Sequence, residues 1–303
     1  MIGFLNLNKP KGLTSHDCVA RVRRLLKIKR VGHGGTLDPA ASGVLPIAVG
    51  KATRLLNYLP TKKAYRALIR FGVTTSTDDL EGEIISTKSA AGLTLAEIEA
   101  QLHNFIGTIE QTPPIYSAIQ VDGKRLYKLA REGKQVDVPS RQVEIEKIDI
   151  LNWYPGEFPE LELEITCGGG TYIRAIARDL GNCVNTGGTL ASLTRTLSCG
   201  FELASSMTLE SLADDLESDS FLLVPLKAGL SHLNSKILPQ DLAKRWCQGQ
   251  RIYVAESREQ GTGNREQVFV RVEGEDEICL GIGELFTDED GWLLVPKVVI
   301  GNE

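Results

Sequence analysis

Several things are scarce in this 303-residue chain, and each scarcity removes a class of function. The six cysteines (Cys18, Cys167, Cys183, Cys199, Cys247, Cys279) are scattered and none forms Cys-x-x-Cys, so neither a zinc site nor a disulfide framework is expected. The four histidines (His16, His33, His103, His232) are equally dispersed, and no metal is expected. No apolar run approaches the length of a membrane span. The stretch Met1 to Gly12 lacks a basic start followed by an apolar core and a small-residue cleavage site, so a cytoplasmic protein is expected. Gly168-Gly169-Gly170-Thr171 follows a strand-like run and precedes a helical one, but the third glycine of a dinucleotide fingerprint would fall at Ile173. That loop fits no Walker pattern either, and no cofactor is expected.

Acids are scarce in one region only. Residues 1–70 carry fourteen Lys and Arg against two acids, Asp17 and Asp38, although the whole chain has a net charge of −5. So polarised a chain can present a basic face to a polyanion despite an acidic total, unless acids from the later chain fold onto it.

Within that basic third lies Arg30-Val31-Gly32-His33-Gly34-Gly35-Thr36-Leu37-Asp38-Pro39-Ala40-Ala41-Ser42-Gly43-Val44-Leu45-Pro46. It reads as one long glycine-rich loop. Ordering such a loop is costly, and it carries a single acid in a cationic neighbourhood, so a working loop is favoured over a connector.

The periodicities around it predict an α+β fold, a mixed and largely antiparallel sheet with flanking helices. Gly3 to Asn8 reads as a strand. Thr14 or Ser15 caps a helix with Cys18, Val19, Val22, Leu25 and Leu26 on one face. Lys63 to Gly72 alternates as a strand, Thr75 to Glu83 reads as polar loop, and Thr94-Leu95-Ala96-Glu97 is a capping box. Thr112 to Ser117 is a stiff turn, and Gly123 to Gly133 a short helix. Residues 142–150 and 161–167 read as strands, 173–180 as a helix closed by Gly181, and Thr208 to Leu216 as another helix. Beyond about Ser235 come a short helix (Pro239 to Gln248) and four short strand-like runs, as in a small barrel or sandwich. Two domains are expected: 1–234, and a small β-rich one over 235–303.

Six ordered blocks carry a resemblance. They are Asn8-Lys9-Pro10-Lys11-Gly12, Gly32-His33-Gly34-Gly35-Thr36-Leu37-Asp38-Pro39, Ala64-Tyr65-Arg66, Pro113-Pro114-Ile115-Tyr116-Ser117-Ala118, Gly170-Thr171-Tyr172-Ile173-Arg174, and Leu193 with Arg195. In this order they resemble the bacterial tRNA pseudouridine-55 synthases, which isomerise a uridine in the tRNA T-loop. The C-terminal portion, with Leu280-Gly281-Ile282-Gly283-Glu284-Leu285, is similar to the small PUA-like RNA-binding barrel of such enzymes. This chain departs from the family at Gly34, where Thr is frequent, at Gln120, where Lys is common, and at Thr194, a usual Arg.

The resemblance implies roles. Asp38 is the carboxylate that detaches the base, as nucleophile or as base. Arg174 is its counter-charge. Tyr65 packs on the flipped uracil and is placed to handle its C5 proton. Tyr172 lines the pocket, Leu193 packs near the base, His33 meets the loop as the base leaves, and Lys9 counts among the RNA contacts. Attack on the sugar, attack on the base and elimination to a glycal all remain open. The implied partner is tRNA through its T-arm, and nothing demands more than a monomer. Two other readings share these residues. One is a tRNA-binding or tRNA-folding module without chemistry. The other is a glycosidase that cleaves free nucleosides.

Overall fold

A computed structural model describes residues 1–117, 120, 121, 124, 125, 138–254, 268–288 and 291–301. In chain order the first elements are β1 (Gly3–Lys9), α1 (Ser15–Leu26), β2 (Val31–His33), β3 (Ser42–Val49), β4 (Lys63–Phe71), β5 (Val73–Thr75), β6 (Ile84–Thr87), α2 (Leu95–Leu102) and β7 (Gly107–Gln111). Next come the two-residue strands β8 (Gln120–Val121) and β9 (Lys124–Arg125), then β10 (Arg141–Tyr154), β11 (Glu160–Cys167), α3 (Ile173–Cys183), β12 (Gly188–Ser198) and β13 (Phe201–Glu202). α4 (Leu209–Glu217), α5 (Leu226–Gly229), β14 (Ser235–Leu238), α6 (Gln240–Cys247), β15 (Ile252–Val254), β16 (Val268–Gly274), β17 (Cys279–Asp288) and β18 (Gly291–Val299) complete it.

The central sheet runs β1-β3-β12-β4-β11-β10-β7, with β2 beside β3 and β13 beside β12. Among the described residues its pairings are antiparallel except β3 with β12, as the mixed reading expects. Alternation explains the faces. β11 buries Leu161, Leu163, Ile165 and Cys167 under α3, and turns Glu160, Glu162 and Glu164 towards Arg66 and Arg70 of β4. α1 opens with a capping box in which Thr14 and Asp17 exchange bonds, and it buries Cys18, Val19 and Val22.

Two expectations need correction. The long loop is shorter at both ends than its composition suggests, because Val31–His33 pairs as a strand and Ser42–Val49 is a largely buried one. Pro46 is tolerated there because its carbonyl accepts from Gly34 N–H at 2.8 Å. Its nitrogen therefore faces away from β1, and the missing N–H costs that ladder nothing. Gly181 does not close α3, which runs on to Cys183. It lies inside the helix, where a Cβ would stand 2.2 Å from the backbone nitrogen of Gly188. The helix expected over 123–133 lies largely outside the described residues.

The second sheet, β14-β16-β17-β18-β15, uses both faces. One packs on α6 around Trp246, Val270, Val272 and Leu294. The other sets Ile282, Val298 and Ile300 against Phe4, Val44, Ala48 and Leu55 of the first sheet and its neighbouring 3-10 turn. On that face buried Arg271 pairs with Glu273 and donates to Leu230 O at 2.8 Å. Lys51 and Arg54 reach the Ile300 and Val299 carbonyls at 2.9 and 2.8 Å. Among the described residues no helix is long and apolar enough to cross a membrane, and no His, Cys, Asp and Glu cluster could hold a metal ion.

Candidate active site

Asp38 stands on the segment between β2 and β3, and that segment is held by its backbone. Ser15 Oγ accepts from Leu37 N–H at 2.9 Å and donates to the Leu37 carbonyl at 3.1 Å. Gly12 N–H donates to the Pro39 carbonyl at 2.8 Å. Fully buried Arg195 donates to the carbonyls of Val44, Thr36 and Gly35 at 2.7, 3.2 and 3.2 Å. Every backbone bond made this way leaves the acid's own side chain free, and the Asp38 side chain is 45% exposed.

Arg174 reaches it from the first turn of α3, 136 positions later in the chain. Its Nη2 lies 3.0 Å from Asp38 Oδ2 and 3.1 Å from the Tyr116 carbonyl, and its Nη1 lies 3.6 Å from Asp79 Oδ2 and 3.0 Å from the Thr77 carbonyl. A cation is unfavourable at a helix N-terminus and at 7% side-chain exposure. Two carboxylates and two carbonyls offset that cost, and the planar guanidinium fork suits so many acceptors.

Tyr65, on β4, is buried beside Arg195. Burial pushes its phenol above the usual tyrosine value, and the Arg195 cation opposes that, so the hydroxyl keeps its proton at neutral pH. Tyr172 precedes α3, and Arg141 lies over its ring at 4.8 Å from the centroid. Its backbone is pinned on both sides by the buried amide of Gln111: Oε1 accepts from Tyr172 N–H at 2.8 Å and Nε2 donates to the Tyr172 carbonyl at 3.1 Å.

Residues 23–173 match the TruB family pseudouridylate synthase N-terminal domain, and residues 236–300 match the pseudouridine synthase II TruB C-terminal domain. A relative from Gloeothece citriformis (strain PCC 7424), tRNA pseudouridine synthase B, is 60% identical over 304 residues, covering 99% of this chain and 97% of the relative. The chain belongs to the TruB family. A TruB relative from Synechocystis sp. (strain ATCC 27184 / PCC 6803 / Kazusa), again tRNA pseudouridine synthase B, is 53% identical, covering 99% of this chain and 100% of the relative. The fold is shared with a chain in a solved H/ACA RNP bound to a substrate RNA containing 2'-deoxyuridine, with a TM-score of 0.74 at 23% identity. That likeness covers 98% of this chain and 85% of the other.

In this TruB chain the remaining expected residues divide. His33 joins the Asp38 segment: its Nδ1 accepts from Gly35 N–H at 3.3 Å, and its ring meets His16 edge-on at 5.3 Å. Burial, followed by the charges of His16 and Arg195, holds its pKa below the ordinary 6.5. An NMR titration should therefore find His33 neutral at pH 7, changing state below 6.5; a midpoint above 6.5 would contradict this environment. Leu193 is partly buried on β12, directly across from Ala67 of β4. Lys9 does not present a free cation. Its ammonium is fully buried and donates to the carbonyls of Pro10, Leu13 and Pro39 at 2.9, 2.7 and 3.3 Å. All three protons are used, so the geometry assigns it to bracing the Asp38 segment rather than to RNA contact.

Sequence reading missed several neighbours. Asp79, 14% exposed, comes from a stretch read as plain polar loop. Asp78 beside it pairs with Arg178 at 3.0 Å, and burial pushes its carboxyl up against that cation's pull. Adjacent acids flanked by Thr77 and Leu80 were the available signal. Gln111 gave none, since one amide in a strand end has no periodic signature.

The Gln111 pairing makes a prediction. In Gln111→Glu the neutral acid can still donate to the Tyr172 carbonyl, whereas the ionised form sets an oxygen against it. Activity should fall about 10- to 100-fold at pH 8 and recover partly towards pH 6, where a buried Glu regains its proton. An equal loss at both pH values would refute the pairing's role.

Two departures are explained by packing. A Cβ on Gly34 would stand 3.0 Å from Cys199 Sγ, so the thiol fills the space a Thr would need. Thr194 Oγ1 meets Ser42 Oγ at 3.1 Å, where β12 and β3 pair. The side chain of Gln120 lies outside the described residues. Among the described residues, later acids meet Lys62, Arg66 and Arg70 at the end of the basic third, but no Lys or Arg before Lys62 has a carboxylate ion-pair partner.

Proposed function

We propose that this chain isomerises uridine to pseudouridine in tRNA, at the T-loop uridine numbered 55. The observation that carries the reading is the Asp38–Arg174 pair, 3.0 Å apart, which brings two distant family motifs into contact. Relatives named tRNA pseudouridine synthase B, at 53% to 60% identity, supply the reaction class.

The reaction breaks the bond from C1′ to N1, turns the base, and joins C1′ to C5; C5 gives up a proton and N1 receives one. It is redox-neutral and conserves every atom of the nucleotide. In this reading Asp38 performs the carboxylate step, and Arg174 holds it in place while dividing its single charge between Asp38 and Asp79. Tyr65, a protonated phenol, packs on the extruded uracil. Tyr172, Leu193 and His33 line the space that receives it. The unpaired cations of α1 and its C-terminal turn (Arg21, Arg24, Lys27, Lys29) grip phosphates, which makes binding salt-dependent. Residues 1–234 carry the chemistry and 235–303 add RNA contacts. All the named groups come from one chain, so a monomer suffices, acting in the cytoplasm.

The test is incubation with unmodified tRNA transcript and mapping of pseudouridine by position. Modification at the T-loop uridine supports the reading. Bound but unmodified tRNA would favour the RNA-folding module, and turnover of free uridine the glycosidase.

A further inference from the structure

Four cations stand on β4 and its approach, and three of them have acids. Lys62 meets Glu146 at 2.7 Å, Arg66 lies 4.0 Å from both Glu162 and Glu164, and Arg70 meets Glu160 at 2.7 Å. Lys63 differs: among the described residues its ammonium has neither a hydrogen bond nor an ion pair. It is nonetheless partly buried, where the segments that carry Asp38, Tyr172 and Arg195 converge. Its Cα pairs with Cys167, which leads into the glycine turn before Tyr172, and with Ser198 of β12. A Cβ on Gly35, three residues before Asp38, would lie 3.6 Å from Lys63 Nζ and 3.8 Å from Arg195 Nη1. Burial, followed by the Arg195 charge, lowers the Lys63 pKa. Arg195 itself is bonded to backbone carbonyls, which leave its charge uncancelled.

Two adjacent cations with little water and no carboxylate of their own form a site for an anion. Uracil and ribose are neutral, so the anion a substrate RNA brings is a phosphodiester. Lys63 and Tyr65 are two residues apart on one strand, on the same face, about 6–7 Å along it. One nucleotide bridges such a span from base to phosphate. Resting on the proposed function, we propose that Lys63 Nζ binds the phosphodiester adjoining the target uridine, anchoring the extruded nucleotide while its base meets Tyr65.

The test is a double-mutant cycle across the interface. T-arm stem-loops carry one neutral methylphosphonate linkage, either 5′ or 3′ of the target uridine, and wild type is compared with Lys63→Gln. Wild type should lose about 10- to 100-fold in kcat/KM with one of the two neutral linkages. Lys63→Gln should lose as much on the all-phosphodiester RNA, and little more when that linkage is neutral. Its binding should also lose about one unit of salt slope. If the variant's loss and the linkage's loss instead multiply, or neither linkage matters to wild type, the assignment is overturned. Should Lys63→Gln not fold, amine labelling of wild-type Lys63 decides. The phosphodiester RNA must block it and the sensitive neutral-linkage RNA must not; equal protection by both overturns the proposal. Wild type inactive on every RNA would sink the proposed function itself, a different failure.

Discussion

Asp38→Asn should abolish pseudouridine formation, lowering the rate by at least about 10⁴-fold, the scale of removing a nucleophile. Affinity for tRNA should stay within a few-fold. The asymmetry follows from how the segment is built. Leu37 and Pro39 are held through their backbones by Ser15, Gly12 and Lys9, and Gly35 and Thr36 by Arg195. None of these bonds uses the Asp38 carboxylate, so Asn inherits the same loop. At 45% exposure the Asp38 contribution to the ion pair is screened by solvent, and stability should change by about 1 kcal/mol or less. Position-resolved mapping of pseudouridine, with filter binding on the same samples, checks both halves. Activity within ten-fold of wild type would remove Asp38 from the chemistry.

Arg174→Lys should cost less but still about 10²- to 10³-fold, although the charge is kept. The guanidinium divides two terminal nitrogens among Asp38, Asp79 and the carbonyls of Thr77 and Tyr116. A single ammonium cannot hold that planar set, so Asp38 loses its fixed orientation. Arg174→Met removes the charge as well and leaves Asp79, at 14% exposure, facing Asp38 with no cation between them. Breaking a buried pair in this way costs about 3–5 kcal/mol, so the methionine variant should also melt earlier, while the lysine variant should not lose as much. Activity beside thermal unfolding separates the two effects. A lysine variant with wild-type turnover would show that the fork geometry is dispensable.

The two sheets make each half depend on the other. Phe4, Val44 and Leu55 share one apolar cluster with Ile282 and Val298, so the C-terminal sheet cannot swing freely from the first sheet. Lys51 and Arg54 also tie the end of the last strand to the 3-10 turn beneath it.

What the sequence determined by itself was local. Alternation in Lys63 to Gly72 and in residues 161–167, the Thr94 capping box and the glycine turn before Tyr172 each depend on neighbours in the chain, and each is where the local pattern put it; of the two caps offered for the first helix, Thr14 and Ser15, the structure uses Thr14. Ordered motifs also singled out Asp38, Tyr65 and Arg174, because resemblance over six blocks needs no coordinates. Tertiary structure decided what depends on partners far away in the chain. It showed Lys9 spending its charge on backbone carbonyls, Asp79 joining Arg174 from a stretch that reads as ordinary loop, and Gln111 pinning Tyr172. It also left Lys63 without an acid while Lys62, Arg66 and Arg70 found theirs. Charge and hydrogen-bonding capacity are written in the side chain, but whether they are consumed internally or kept for a substrate is settled only by what the fold brings within about 3 Å.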